Sequence, residues 1–192
     1  DWSSDVCSSD LEGDRLTVDA TVINTGERAG TQTIELVTGG IVRNTTDVTL
    51  DVGESETITI GWNTITGDGG PYTATVRSAN ESASGSVTVQ KPASFDVRID
   101  STNSGTREGS TLNVDVTVEN TGDRTATQDV NLTIGGVVRD SESVTLNGGE
   151  TKTITLSWAT APGDSRDYPI AVSSDDDSAS TAATVKRQPP DF

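Results

Sequence analysis

Shifted by 96 positions, the chain lies on itself without a gap, so that 12–91 reads against 108–187 with about half the residues identical. Asn24-Thr25-Gly26 returns as Asn120-Thr121-Gly122, Gly39-Gly40-Ile41-Val42-Arg43 as Gly135-Gly136-Val137-Val138-Arg139, and Val48-Thr49-Leu50 as Val144-Thr145-Leu146. Gly53-Glu54, Trp62, Gly67-Asp68 and Tyr72 return as Gly149-Glu150, Trp158, Gly163-Asp164 and Tyr168. A period of this length is a whole small domain, large enough for one core, so the chain is read as a tandem array.

Within each copy the residues alternate apolar and polar, as in Leu16-Thr17-Val18-Asp19-Ala20-Thr21-Val22 and Leu112-Asn113-Val114-Asp115-Val116-Thr117-Val118. Period two marks a half-buried strand, and Thr at the outward positions suits a pleated surface. Turn signals fall between the strands, and no stretch sustains a helical period. Six or seven short strands in about 90 residues make an antiparallel sandwich the natural closure. The expectation is an all-β chain: two tandem immunoglobulin-like antiparallel β-sandwich domains joined by a short linker. Tyr72 and Tyr168, each four residues after an Asp, are expected to bond back to upstream backbone as tyrosine corners. Trp62 and Trp158 end a strand in phase with its buried face and are assigned to the core rather than to a sugar-stacking platform.

The ends read differently from the repeat. Residues 1–11 resemble the translation of a common sequencing adapter and are set aside as a non-native segment. With no methionine anywhere, the chain reads as a fragment. The first domain is then 12–91, lacking its first strand; 92–94 is a linker; 95–187 is the second domain, opening on Phe95-Asp96-Val97-Arg98-Ile99; 188–192 begins a further linker or repeat. Pro92 stiffens the linker, and the two domains are expected to sit end to end. An open strand edge in the first domain invites pairing with another chain, so that domain is expected to be the less stable and to self-associate.

Asp and Glu total 30 against 13 Lys and Arg, a net charge of -17, with no His and only Cys7, which lies in the adapter-like segment. A carboxylate-rich, lysine-poor surface is what solubility in strong salt favours, since screening at about 1 M shortens the Debye length to about 3 Å. A halophilic source is inferred. Phosphate backbones need cationic partners, so nucleic acid is excluded. No apolar run of about 20 residues is present for direct membrane insertion of this fragment.

Catalytic residues are assigned none. The usual general base and thiol nucleophile are missing, and Glu54 and Glu150 follow Gly in matching turns, which suits a local backbone contact. No cofactor or metal is assigned. Asp175-Asp176-Asp177 offers hard oxygens for Ca²⁺, but adjacent side chains on an extended chain point apart, and a solvated loop is favoured. Three sequons occur, with Asn44 and Asn80 placed in loops or hairpin ends and Asn131 inside a strand.

In their order and spacing, Asn24, Thr25, Gly26, Leu36, Gly40, Val42, Val48, Leu50, Gly53, Glu54 and Trp62, with their partners 96 further on, resemble the CARDB family of cell-adhesion-related domains. The resemblance implies an extracellular, non-catalytic, immunoglobulin-like surface module that adheres or spaces, with other surface proteins or glycans as partners. An accessory module of a secreted hydrolase and a self-associating filament subunit are the alternatives.

Overall fold

The computed structural model describes residues 9–190. Every regular element among them is a strand, and the chain divides into two compact units, Asp1–Lys91 and Pro92–Phe192.

The first unit contains β1 (Ser9–Leu11), β2 (Arg15–Ile23), β3 (Gly30–Thr38), β4 (Ile41–Leu50), β5 (Ser55–Asn63), β6 (Gly70–Arg77) and β7 (Ser82–Gln90). One sheet runs β1-β7-β6-β3-β4; facing it, β2 and β5 form a two-stranded sheet. The second unit contains β8 (Phe95–Thr102), β9 (Thr111–Asn120), β10 (Ala126–Ile134), β11 (Val137–Leu146), β12 (Thr151–Ala159), β13 (Arg166–Ser173) and β14 (Ser178–Val185). Its sheets run β11-β10-β13-β14 and β12-β9-β8. Each unit is a sandwich because every strand carries one apolar face that only a second sheet can cover.

The alternation read from sequence becomes the burial pattern. Leu16, Val18, Ala20 and Val22 point inward from β2, as Leu112, Val114, Val116 and Val118 do from β9, while the intervening residues face outward. The Gly-Gly pairs supply the positive φ that a tight hairpin requires: 55° and 78° at Gly39 and Gly40, 61° and 83° at Gly135 and Gly136. Both hairpins also carry a register irregularity at the same place, between Leu36 and Val37 and between Leu132 and Thr133.

One difference from the sequence reading concerns the start of the first unit. Residues 9–11, set aside with the adapter-like segment, form β1 and pair in parallel with β7, Ser9 opposite Thr88 and Leu11 opposite Gln90. The second unit has the same feature 96 residues on, where Arg107 bridges Lys186 in parallel. Backbone pairing at an edge asks little of the side chains, so an unrelated sequence occupies the slot. The expected first strand of the first domain falls on residues 1–8 and beyond, outside the described residues; among those described, nothing pairs with the outer edge of β2.

Candidate functional site

The residues that offered chemistry are committed to local structure. Glu54 Oε2 accepts the Asp51 N–H at 2.8 Å, and Glu150 Oε2 accepts the Asn147 N–H at 2.9 Å and its Nδ2 at 3.0 Å. Each carboxylate closes its own turn, as placement directly after Gly anticipates. Asp68 and Asp164 do the same for the following turn, accepting from Ile65 N–H at 2.8 Å and Ala161 N–H at 2.7 Å.

The tryptophans are interior, 5% exposed at Trp62 and 6% at Trp158. Tyr72 and Tyr168 meet them edge-on, with ring centroids 5.2 and 5.0 Å apart. Arg43 and Arg139 lie over the indoles at 4.0 and 4.7 Å. Neither indole is left as a stacking platform. Only one tyrosine corner closes: Tyr72 Oη donates to the Asp68 carbonyl at 2.9 Å, whereas Tyr168 Oη is buried without a partner among the described residues. The connecting loops differ as well. Gly70 adopts φ 144°, a conformation open to glycine, and its counterpart Arg166 does not follow.

The Asp175-Asp176-Asp177 loop has a task that sequence reasoning missed. Asp176 Oδ2 accepts the Phe95 N–H at 2.8 Å and Gln128 Nε2 at 2.6 Å; Asp177 Oδ2 accepts the Val97 N–H at 3.0 Å. Ser174 Oγ donates to the Phe95 carbonyl at 2.7 Å. Two carboxylates and a hydroxyl thus satisfy the free side of β8, whose other side pairs with β9. An unpaired edge is a template for aggregation, and this loop blunts it. The signal was present in the repeat: the copy that carries the Phe95-x-Val97 strand also carries these aspartates, while the other has Asn80 and Glu81 in their places. Among the described residues no group of His, Cys, Asp and Glu is arranged to hold a metal ion.

The repeated Asn-Thr-Gly receives the start of β8. Asn120, fully buried, donates from Nδ2 to the Arg124, Leu146 and Asn147 carbonyls at 2.7, 3.2 and 3.2 Å; its Oδ1 accepts from Gly122 N–H at 3.1 Å and Ser94 N–H at 3.2 Å. Thr121 N–H donates to the Ser94 carbonyl at 2.8 Å. A Cβ on Gly122 would stand 1.9 Å from the Pro92 carbonyl oxygen, so only glycine lets the entering chain pass.

Two carboxylates ionise below their ordinary range. Glu108 is held down chiefly by the Gly163 N–H, then by the Gln188 N–H, and Asp115 by the Ser101 hydroxyl and then that of Thr155. Of the sequons, Asn80 is exposed in the β6–β7 loop and Asn131 lies in β10, as expected. Asn44 does not sit in a loop: it lies inside β4, and its Nδ2 donates to the Gly61 carbonyl at 2.8 Å, tying β4 to β5.

Among known proteins, residues 92–183 match the model of CARDB, a cell-adhesion-related domain family. The match lies within the second unit. No curated protein matches the chain. A CARDB domain from Pyrococcus furiosus, solved in complex with di-metal ions, is 18% identical over 50% of this chain and 96% of that one, with a TM-score of 0.44. A beta-glucosidase from Listeria innocua, solved with glucose, is 19% identical with a TM-score of 0.43; the match covers 49% of this chain and 16% of the glucosidase. Fibronectin(III)-like modules from Clostridium thermocellum match over 97% of this chain and 95% of theirs, at 14% identity and a TM-score of 0.36.

Proposed function

We propose that the chain is a non-catalytic adhesion and spacer segment of an extracellular surface protein adapted to strong salt. The observation that carries the reading is where the acidic side chains are spent. Glu54, Glu150, Asp176 and Asp177 all accept backbone N–H groups that the fold would otherwise leave unpaired. With no histidine in the sequence, no general base of the usual kind stands beside them. The CARDB match of residues 92–183 supports an adhesion-related role. The net charge of -17 supports a saline setting, where screening removes the self-repulsion.

The test is retention. Beads coated with the chain are presented with cell envelopes, and separately with purified polysaccharides, at about 0.15 M and about 1 M NaCl, conditions that differ in Debye length by more than twofold. Envelopes are expected to retain the beads, more strongly at the higher salt, with no sugar released from any polysaccharide. Retention on purified polysaccharide alone would move the assignment to an accessory module of a hydrolase; released sugar would end the non-catalytic reading.

A further inference from the structure

The turn between β11 and β12 carries the chain's single Asn-Gly pair, Asn147-Gly148. We infer that Asn147 is a deamidation site whose reaction the folded second unit holds back and unfolding releases. Glycine after Asn favours this chemistry, because no side chain shields the attacking nitrogen and the backbone turns freely. The first unit has Asp51-Val52 at this place, with no amide to lose.

The reaction needs only water. The Gly148 nitrogen gives up its proton and attacks Asn147 Cγ; the Cγ–Nδ2 bond breaks and ammonia leaves, closing a five-membered succinimide. Water then opens the ring at one carbonyl to give aspartate, or at the other to give isoaspartate, whose main chain runs through Cγ and is one carbon longer. One water is consumed for each ammonia released, with no change of oxidation state.

Asn147 is exposed, so water reaches it, but the amide is held at both ends. Its Nδ2 donates to Glu150 Oε2 at 3.0 Å, the oxygen that also takes the Asn147 N–H at 2.9 Å, and Thr125 Oγ1 donates to its Oδ1 at 2.9 Å. The Asn147 carbonyl accepts the Glu150 N–H at 3.0 Å and Asn120 Nδ2 at 3.2 Å, which fixes the peptide plane that carries the Gly148 nitrogen. A nearly planar succinimide requires an eclipsed χ1, so these bonds must break before the ring can close. The restraint is matched to the hazard. Thr125 stands where the first unit has Ala29, so the copy that carries Asn also carries the hydroxyl that holds it. Glycine cannot be traded away instead, because a Cβ on Gly148 would stand 2.4 Å from the Asp123 carbonyl oxygen.

The two products differ in consequence. Asp51 donates its N–H to Glu54 Oε2 at 2.8 Å and accepts the Glu54 N–H at 3.1 Å, so the same turn takes an aspartate. Isoaspartate adds a carbon between Leu146 and Gly148, in the segment that accepts from Asn120 Nδ2 and returns the Gly149 N–H to the Asn120 carbonyl at 2.9 Å. Asn120 Oδ1 also accepts the Ser94 N–H ahead of β8. An episode of unfolding is thereby recorded covalently at the seat of that strand.

The experiment incubates the full chain at mildly alkaline pH, in buffer and in urea, and follows the mass gain of amide-to-carboxyl exchange by peptide mapping. Asn147 is expected to react first, at least about tenfold faster in urea than in buffer. Thr125→Ala is expected to speed the reaction in buffer about fivefold and to leave that in urea unchanged. Gly148→Ala, compared in urea where folding is not required, is expected to slow it. Returned to buffer, isoaspartate-bearing chains are expected to lose amide protection at Ser94 and Asn120, which Asn147→Asp retains. Equal rates in buffer and urea, a rate in buffer indifferent to Thr125→Ala, another Asn reacting first, or protection unchanged by isoaspartate would overturn the inference. None of these outcomes depends on whether the chain adheres to envelopes.

Discussion

The two units share a fold and about half their residues, yet among the described residues β9 carries β8 on its outer edge and β2 carries no counterpart. In the second, Phe95 and Val97 descend from β8 into the core, Ile154 and Tyr168 are buried, and Asn120 and Gly122 are covered. In the first, Ile58 and Tyr72 are only partly buried, Asn24 is half-buried and Gly26 is exposed. One strand therefore decides the state of a rim of residues that are otherwise the same. The lesson is that a repeated motif can hold an entering strand in one copy where the described residues of the other show none. Asn-Thr-Gly reads as a turn in either unit, and in the second it also receives the chain that leads into β8.

The comparison is broken most directly by removing Phe95. Amides of the second unit are expected to outlast those of the first in native-state hydrogen exchange, because burying Phe and Val side chains contributes about 1.5–3 kcal/mol each. Phe95→Ala is expected to cost about 3–5 kcal/mol and bring the second unit down to the protection of the first. If the second unit stayed ahead, β8 would not be the source of the difference.

Removing the edge caps comes next. Asp176→Ala or Asp177→Ala strands a β8 N–H and is expected to cost about 1–3 kcal/mol in denaturant unfolding, whereas Asn80→Ala, in the first unit, stays within about 0.5 kcal/mol. Calcium is expected to leave the melting of the unmodified chain unchanged; a rise in Tm lost in the Asp variants would return the loop to metal binding. A smaller contrast separates the tyrosines. Tyr72→Phe removes a bond to the Asp68 carbonyl and is expected to cost about 1 kcal/mol; Tyr168→Phe removes an unpartnered hydroxyl and is expected to be neutral or slightly stabilising.

The smallest effect is in acid. Glu108 and Asp115 have folded-state pKa values below their unfolded ones. The stability they contribute is present above the unfolded values, near pH 4, and is lost as pH falls through the folded ones. Both groups are solvent-exposed, so the loss is small. Thermal unfolding of the chain followed from pH 6 to pH 2 should show the second unit's acid sensitivity reduced in Glu108→Gln, and an unchanged profile would remove Glu108 from the account.

Much of the fold was legible because it rests on short-range rules. Alternation in Leu16 to Val22 set the buried face, Gly39-Gly40 set the hairpin, and glycine before Glu54 marked a carboxylate that folds back on its own turn. The bonds that were missed join residues far apart in sequence. Nothing local marks Asp176 and Asp177 as caps for a strand about 80 residues earlier, and Asn44 looked like a hairpin end because its bond to Gly61 spans two sheets.

The chain's period, its strands and the inward set of side chains were determined by the sequence itself, since backbone geometry and apolar burial act through neighbours one and two residues apart. Which edges are capped, which tyrosine hydroxyl finds a carbonyl and which chain segment Asn120-Thr121-Gly122 receives were decided only in the tertiary structure. These depend on groups that meet across the sandwich, and whether they meet is a matter of packing that residue order alone does not encode.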